Sequence, residues 1–296
     1  MPLIQVGDIE MYYEVHGQGF PLVLIAGIGY HSGCWFSVLP HFSRDFRVVV
    51  FDNRGVGRTD SPFGRLRATP DIDYTIEMLA DDTAGLLGEL GIAKAHVLGR
   101  SMGGAIAQQL AIRHPEMVEK LVLVATLSET SPFGLLVLDV WQQVGLKAGM
   151  DVLHKLLVME SLSPRFFGEH PEVVVELLRR GDEHPQPAEA FARQAGAVAR
   201  HNTTPLLHRI QAPTLILAGE KDIPTPVGAS KLLASRIPNS RLRVVPRAGH
   251  GFMWEDPEGC CREVLTFLAG GPKTGGLSRF VQEVTCHGCQ HRCGGR

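Results

Sequence analysis

The chain has almost no net charge. Its 296 residues carry 29 Lys and Arg against 31 Asp and Glu, a formal balance of −2. No basic field is present to attract nucleic acid or anionic lipid, so neither is an expected partner. Long apolar runs are missing as well: no uninterrupted stretch approaches the roughly 20 residues that a membrane helix needs. The first residues, Met1-Pro2-Leu3-Ile4-Gln5-Val6-Gly7-Asp8, lack the basic start and apolar core of a secretory signal. The expectation is a soluble cytoplasmic protein. Cysteine is sparse. Cys34 stands alone, Cys260 and Cys261 are adjacent, and Cys286, Cys289 and Cys293 crowd the last residues. That is not the spacing of a secreted disulfide framework. There is no internal repeat. With 44% hydrophobic and 20% charged residues, the composition does not point to disorder either.

What is present is a series of short apolar runs: Leu22–Ile25, Val48–Phe51, Ala95–Leu98, Leu121–Val124, Thr214–Leu217 and Leu242–Val245. Most are continuous rather than alternating, as suits strands buried on both faces of a parallel sheet. Helical spacing appears between them, over Tyr74–Leu90 and Met102–Arg113. Alternating strands and helices predict a doubly wound, mostly parallel α/β fold. Before these, Gln5–Val6 and Glu10–Val15 read as an edge hairpin. Near the end, Asp256-Pro257 predicts a capped helix start, and Gly270-Gly271-Pro272 a stop. The alternation breaks from Ser128 to Leu207, where helical patterns recur over Leu135–Val144, Val152–Met159, Glu172–Arg180 and Ala188–Arg200. The expected organisation is a core of residues 1–127 and 208–271, a helical cap inserted at 128–207, and a flexible tail at 272–296.

One five-residue turn carries chemistry. Gly99-Arg100-Ser101-Met102-Gly103 follows the run Ala95–Leu98 and opens the next helical pattern. A Ser in a sharp strand-to-helix turn has its hydroxyl pushed out of the sheet, and flanking glycines remove the Cβ atoms that would collide there. The helix start behind it favours developing negative charge. A Ser hydroxyl needs a base to act as nucleophile, so a His oriented by a carboxylate is expected at later strand ends. Asp222 follows the run Thr214–Leu217, and His250 follows Leu242–Val245. The order Ser, Asp, His suits this architecture. Glu129, after Leu121–Val124, is the rival acid. His16 and His31 lie in loops, where core or surface roles are expected.

Together these residues resemble the α/β-hydrolase superfamily over roughly residues 3–270. Ile25-Ala26-Gly27-Ile28-Gly29 resembles its oxyanion loop after the third strand. Asp52-Asn53-Arg54-Gly55-Val56-Gly57-Arg58-Thr59 resembles the loop after its fourth strand, and Gly249-His250 with Glu255-Asp256-Pro257-Glu258 its histidine loop and last helix. The resemblance implies that Ser101 attacks an acyl carbonyl, with His250 as base, Asp222 as its orienting acid, and the N–H groups of Ile28 and Met102 as the oxyanion hole. No metal or organic cofactor is implied. Two positions depart from the common pattern. Ala26 stands where His is frequent, which removes that side chain's polar bracing. Arg100 precedes the nucleophile; a packed or solvated side chain is expected there, with contact to an acidic group as the functional alternative.

Within the insertion, Leu135, Leu136, Leu138, Trp141, Leu153, Leu156, Leu157, Phe166 and Phe167 are expected mainly to pack the cap onto the sheet. Some of them should also line an apolar cleft. The chain looks most like capped members such as 3-oxoadipate enol-lactonases, small carboxylesterases and carbon–carbon bond hydrolases. The expected activity is hydrolysis of a small, partly apolar ester or lactone. Acyl transfer, perhydrolysis, carbon–carbon cleavage or a triad-retaining small-molecule receptor are the alternatives from the same site. The tail cluster Cys286, His287, Cys289, His291 and Cys293 has the donor types of a zinc site, but no second Cys pair at finger spacing. Metal binding is not the expectation there.

Overall fold

The computed structural model describes residues 2–59 and 73–270, together with the backbone of residues 282–283. The tail otherwise lies outside the described residues, and so does the cysteine–histidine cluster at Cys286–Cys293. The chain opens with β1 (Leu3–Val6) and β2 (Ile9–His16), an antiparallel hairpin whose turn has Gly7 at φ 54°. Then come β3 (Phe20–Ile25), β4 (Phe46–Phe51), β5 (Ala95–Arg100), β6 (Val118–Val124), β7 (Thr214–Gly219) and β8 (Ser240–Val245). A two-residue β9 (Gln282–Glu283) pairs antiparallel with β8. The sheet order is β1-β2-β4-β3-β5-β6-β7-β8-β9; β3 to β8 are parallel to one another, and β2 joins β4 antiparallel.

Helices connect and cover these strands. They are α1 (Leu39–Phe42), α2 (Ile76–Glu89), α3 (Met102–Arg113), α4 (Pro132–Lys147), α5 (Met150–Ser161), α6 (Pro164–Glu169), α7 (Pro171–Glu183), α8 (Ala188–Arg200), α9 (Val227–Arg236), α10 (Phe252–Glu255) and α11 (Pro257–Leu268). The architecture is the mostly parallel α/β sheet expected from the apolar runs. Every run lies in a strand and is buried throughout except in β8, where Leu242 and Val244 are buried and Arg243 and Val245 only partly so; several strands also include partly exposed residues before the run, such as Phe46-Arg47 and Glu119-Lys120. Asp256 caps α11 as expected, its carboxylate accepting from the Gly259 N–H at 2.8 Å. Helices α1, α6, α9 and α10 had no periodic signature. Three of them are too short to show a repeat, and α9 buries only Ser230 and Leu233.

Strand β3 is the switch point. The chain passes from β3 to β4 in one direction and from β4 back past β3 to β5 in the other, so the loops after β3 and β5 diverge at the carboxyl ends of the strands and leave a crevice. Five helices, α4 to α8, separate β6 from β7. The two ends of this excursion are tied together. Glu129 and Asn202 form an antiparallel bridge, and the Thr203 N–H donates to the Ser128 carbonyl at 2.7 Å. Thr203 Oγ1 donates to Gln108 Oε1 at 2.6 Å and so anchors the junction on α3. No described helix is long and apolar enough to cross a membrane.

His201 is buried in this junction, 4% exposed, with Nε2 3.3 Å from Thr203 Oγ1. Burial pushes its pKa down to about 4. In the unfolded chain the ring takes up its proton near pH 6.5, whereas the folded chain resists protonation down to about pH 4. Stability from this group is therefore present above pH 6.5 and is lost as the pH falls through that window. Urea melts should show wild type losing on the order of 3 kcal/mol more than His201→Gln between pH 7 and pH 4. Parallel losses in the two proteins would refute the assignment.

Candidate active site

The Ser101 backbone sits at φ 55° and ψ −121°, between the end of β5 and the start of α3. A non-glycine residue here is strained and persists only where its surroundings hold it. Three contacts do so. The Ser101 N–H donates to the Val124 carbonyl at 2.9 Å, and the Ser101 carbonyl accepts from the Gly104 N–H at 2.9 Å and from Thr126 Oγ1 at 2.7 Å. The glycines act by close approach. A Cβ on Gly103 would lie 2.0 Å from the Ile25 carbonyl oxygen, and one on Gly99 would lie 2.1 Å from that of Gly103.

His250 follows β8 and Asp222 follows β7, so adjacent parallel strands deliver both to the same edge of the sheet. His250 Nδ1 is 2.9 Å from Asp222 Oδ2. Their side chains are 6% and 0% exposed. Asp222 also accepts from the Thr225 N–H and from Thr225 Oγ1, both at 2.8 Å. With Nδ1 held by the carboxylate, Nε2 is the ring nitrogen left for the cavity, which Ser101 and His250 line together. Glu129 is exposed and engaged in its bridge with Asn202; the carboxylate on His250 is that of Asp222. His31 is buried, caps a 3₁₀ turn at Ser32–Trp35 and lies 2.7 Å from the Arg180 carbonyl through Nε2. His16 pairs with Glu14 at 2.8 Å.

Ile28 and Met102 line the cavity beside Ser101. Met102 is the first residue of α3, where N–H groups have no acceptor within the helix. The loop around Ala26 is braced despite the absent His. Buried Asn53 donates through Nδ2 to the Ala26 carbonyl at 3.2 Å. Thr126, Thr225 and Asn53 are supporting residues that the sequence reading did not single out. Thr126 and Asn53 carry no local signal, because each donates to a backbone carbonyl of a segment far away in the chain; Thr225 acts on Asp222 three residues before it, a spacing that is present in the sequence.

The cavity has two arms that share Ile28, Ser101, Trp141 and Pro224. One is apolar, about 470 Å³ counting its open mouth, with Leu127, Val137, Leu138 and Val198 in its wall. The other, about 280 Å³ on the same count, is more polar and contains Tyr30, Arg100, Glu160, Ser161 and His250. Of the insertion residues expected to pack or line a cleft, Leu138, Trp141 and Leu157 reach the cavity, while Leu153 and Phe166 are buried away from both arms. Leu135 and Leu136 do neither and face solvent. Helical geometry explains this: Gly134, Leu138, Trp141 and Gly145 form the inward stripe of α4, and Leu135 and Leu136 fall outside it. Arg100 is packed rather than solvated, with its guanidinium carbon 4.2 Å from the Trp254 ring centre.

Against known proteins, the family model described as alpha/beta hydrolase fold matches residues 21–257. The chain is 30% identical over 262 residues to the Serratia proteamaculans protein named "Putative carbamate hydrolase RutD", covering 87% of this chain and 96% of that one. Among solved structures, an enol-lactonase from Burkholderia xenovorans LB400 superposes with a TM-score of 0.81 at 25% identity, covering 90% of this chain and 100% of that chain. A thermophilic esterase from Thermogutta terrifontis gives a TM-score of 0.80 at 27% identity, covering 91% and 99%.

The close approach at the turn is open to measurement. Gly103→Ala should destabilise the protein by about 2–4 kcal/mol, since the obstacle is backbone that cannot yield cheaply. Gly88→Ala, in α2 with open space around the new Cβ, should instead stabilise by about 0.5–1 kcal/mol. Equal effects in urea melts would contradict the packing account.

Proposed function

The chain belongs to the α/β-hydrolase family, and from that footing we propose that it is a serine hydrolase with Ser101 as nucleophile, His250 as general base and Asp222 as orienting acid. The observation that carries this reading is the 2.9 Å contact between His250 Nδ1 and Asp222 Oδ2 behind the cavity that Ser101 lines. Ser101 Oγ attacks the substrate carbonyl while His250 Nε2 takes its proton. The N–H groups of Ile28 and Met102 hold the oxyanion, each worth about 3–4 kcal/mol of barrier. The tetrahedral intermediate collapses as His250 returns the proton to the leaving oxygen, which leaves an acyl-enzyme. His250 then deprotonates water, water attacks the acyl carbonyl, and Ser101 recovers its proton. Asp222 keeps Nδ1 protonated and stabilises the imidazolium throughout.

Residues 128–207 act as a cap over a core of residues 1–127 and 208–271. Trp141, Leu138 and Val198 from this cap, facing Leu127 and Met102 below, support a small and partly apolar substrate. The names of the relatives, a carbamate hydrolase, an enol-lactonase and an esterase, favour a carbonyl bonded to oxygen or nitrogen. A small ester or lactone is the class that fits best.

Two measurements test this. Ser101→Ala should abolish covalent labelling by a fluorophosphonate probe, and persistent labelling would move the nucleophile elsewhere. On p-nitrophenyl acyl esters and lactones, wild type should turn over many times. Asp222→Asn should lose roughly 10³–10⁴-fold in kcat, and Glu129→Gln less than about 3-fold, as expected of an exposed position. A single slow covalent event in wild type would favour a receptor, and a large loss only in Glu129→Gln would overturn the choice of acid.

A further inference from the structure

Arg100 brings a full positive charge into the wall of the reaction cavity. It is 1% exposed. Nε and Nη2 are buried without a hydrogen-bond partner, and the guanidinium forms no ion pair with any described residue. Burial lowers its pKa, yet a guanidinium keeps its proton inside proteins. Its neighbours supply little compensation. Trp254 and Tyr30 present ring faces, at 4.2 and 5.3 Å from the guanidinium carbon. Burial pushes the Tyr30 phenol and the Cys34 thiol both up to about 12, so both are neutral. Asp222 attracts Arg100 from a distance, but its oxygens are engaged by His250 and Thr225.

Stacking on rings accounts for the faces of the guanidinium and leaves its in-plane donors free. A buried charge in that state is costly unless something completes its shell. The arm of the cavity that Arg100 lines also contains Ser101 and His250. Gly27 keeps the two side chains in reach of one ligand: a Cβ there would stand 3.1 Å from Ser101 Cβ and 3.5 Å from Arg100 Nη1. Glu160 lines the same arm, with Oε2 accepting from Trp141 Nε1 at 2.9 Å. Its charge opposes a dianionic phosphate more than a monoanion, and the planar donor fork of Arg100 matches a carboxylate.

We propose that Arg100 is a specificity residue that binds a carboxylate carried by the substrate, beside the carbonyl that Ser101 attacks. The substrate is then an ester or lactone with one carboxylate, its apolar part in the arm lined by Leu138 and Val198. This assignment rests on the hydrolase reading for its chemistry, though not for anion binding itself.

The test compares wild type, Arg100→Gln and Arg100→Lys on matched pairs of esters. One pair puts the charge on the acyl side, p-nitrophenyl hydrogen glutarate against p-nitrophenyl pentanoate. The other puts it on the leaving group, the butanoyl ester of glycolate against ethyl butanoate. Binding of glutarate to Ser101→Ala is measured by calorimetry at constant ionic strength. In one of the pairs, the charged-to-neutral ratio of kcat/KM should fall roughly 100-fold in Arg100→Gln, and Arg100→Lys should recover part of it. The ratio cancels any general loss of activity. Unchanged ratios in both pairs, with ester turnover intact, overturn the proposal and leave the hydrolase reading standing. Glutarate binding to Ser101→Ala that is lost in the Ser101→Ala/Arg100→Gln double variant, with no ester turned over by wild type, has the opposite meaning. Should Arg100→Gln fail to fold by circular dichroism, competition decides. Glutarate inhibiting wild-type turnover of p-nitrophenyl pentanoate, where equal ionic strength of KCl does not, supports the site, and absence of inhibition overturns it.

Discussion

The contact on which this structure depends is the close approach of the α3 start to the ends of β3 and β5. Gly103 brings the helix backbone against the Ile25 carbonyl, and Gly99 brings the strand against Gly103. No side chain fits in either gap. The approach forces Ser101 into a backbone region that an L residue avoids, and hydrogen bonds from β6 and from Thr126 hold it there. The strain is local, while its support is spread over three strands. Hydrophobic burial in a parallel sheet thus sets the position of one hydroxyl group.

The remaining parts of the site follow from strand order. Parallel strands end at one edge, so residues that follow β3, β5, β7 and β8 meet although they are far apart in sequence. Asp222 and His250 are 28 positions apart, yet their side chains make a 2.9 Å contact. Asn53, arriving from the end of β4, braces the backbone at Ala26. The helical excursion then narrows the space above Ser101. Its ends are pinned together at Glu129 and Asn202, and Trp141 reaches down into both arms of the cavity. The result is a site with one apolar wall and one wall that carries Arg100.

Much of this was legible in the chain because the relevant signals are local. Continuous apolar runs require burial on both faces, and each such run lies in a strand. The Gly-x-Ser-x-Gly turn needs its glycines within five residues, so the packing constraint is written into consecutive letters. The longer helices between β6 and β7 were legible for the same reason, through their spacing of apolar residues. Short helices such as α6 and α10 were not, since one turn carries no period. Leu135 and Leu136 were apolar without being buried, because composition alone does not say which face of α4 turns inward.

Short-range steric and hydrophobic rules were enough to read the strand series and the strained turn at Ser101 from the chain, and with the strand series the order of Ser101, Asp222 and His250 along it. Which carboxylate meets His250, which residues of helices α4 to α8 reach the cavity, and what becomes of Arg100 were set by the packing of the fold. Those outcomes depend on distances between segments remote in the chain. For Arg100 the difference is largest. In sequence it is the second letter of a Gly-x-Ser-x-Gly turn, with nothing beside it to give it a role. In the fold it is a desolvated charge beneath Trp254, with free donors in the wall of the cavity that Ser101 shares.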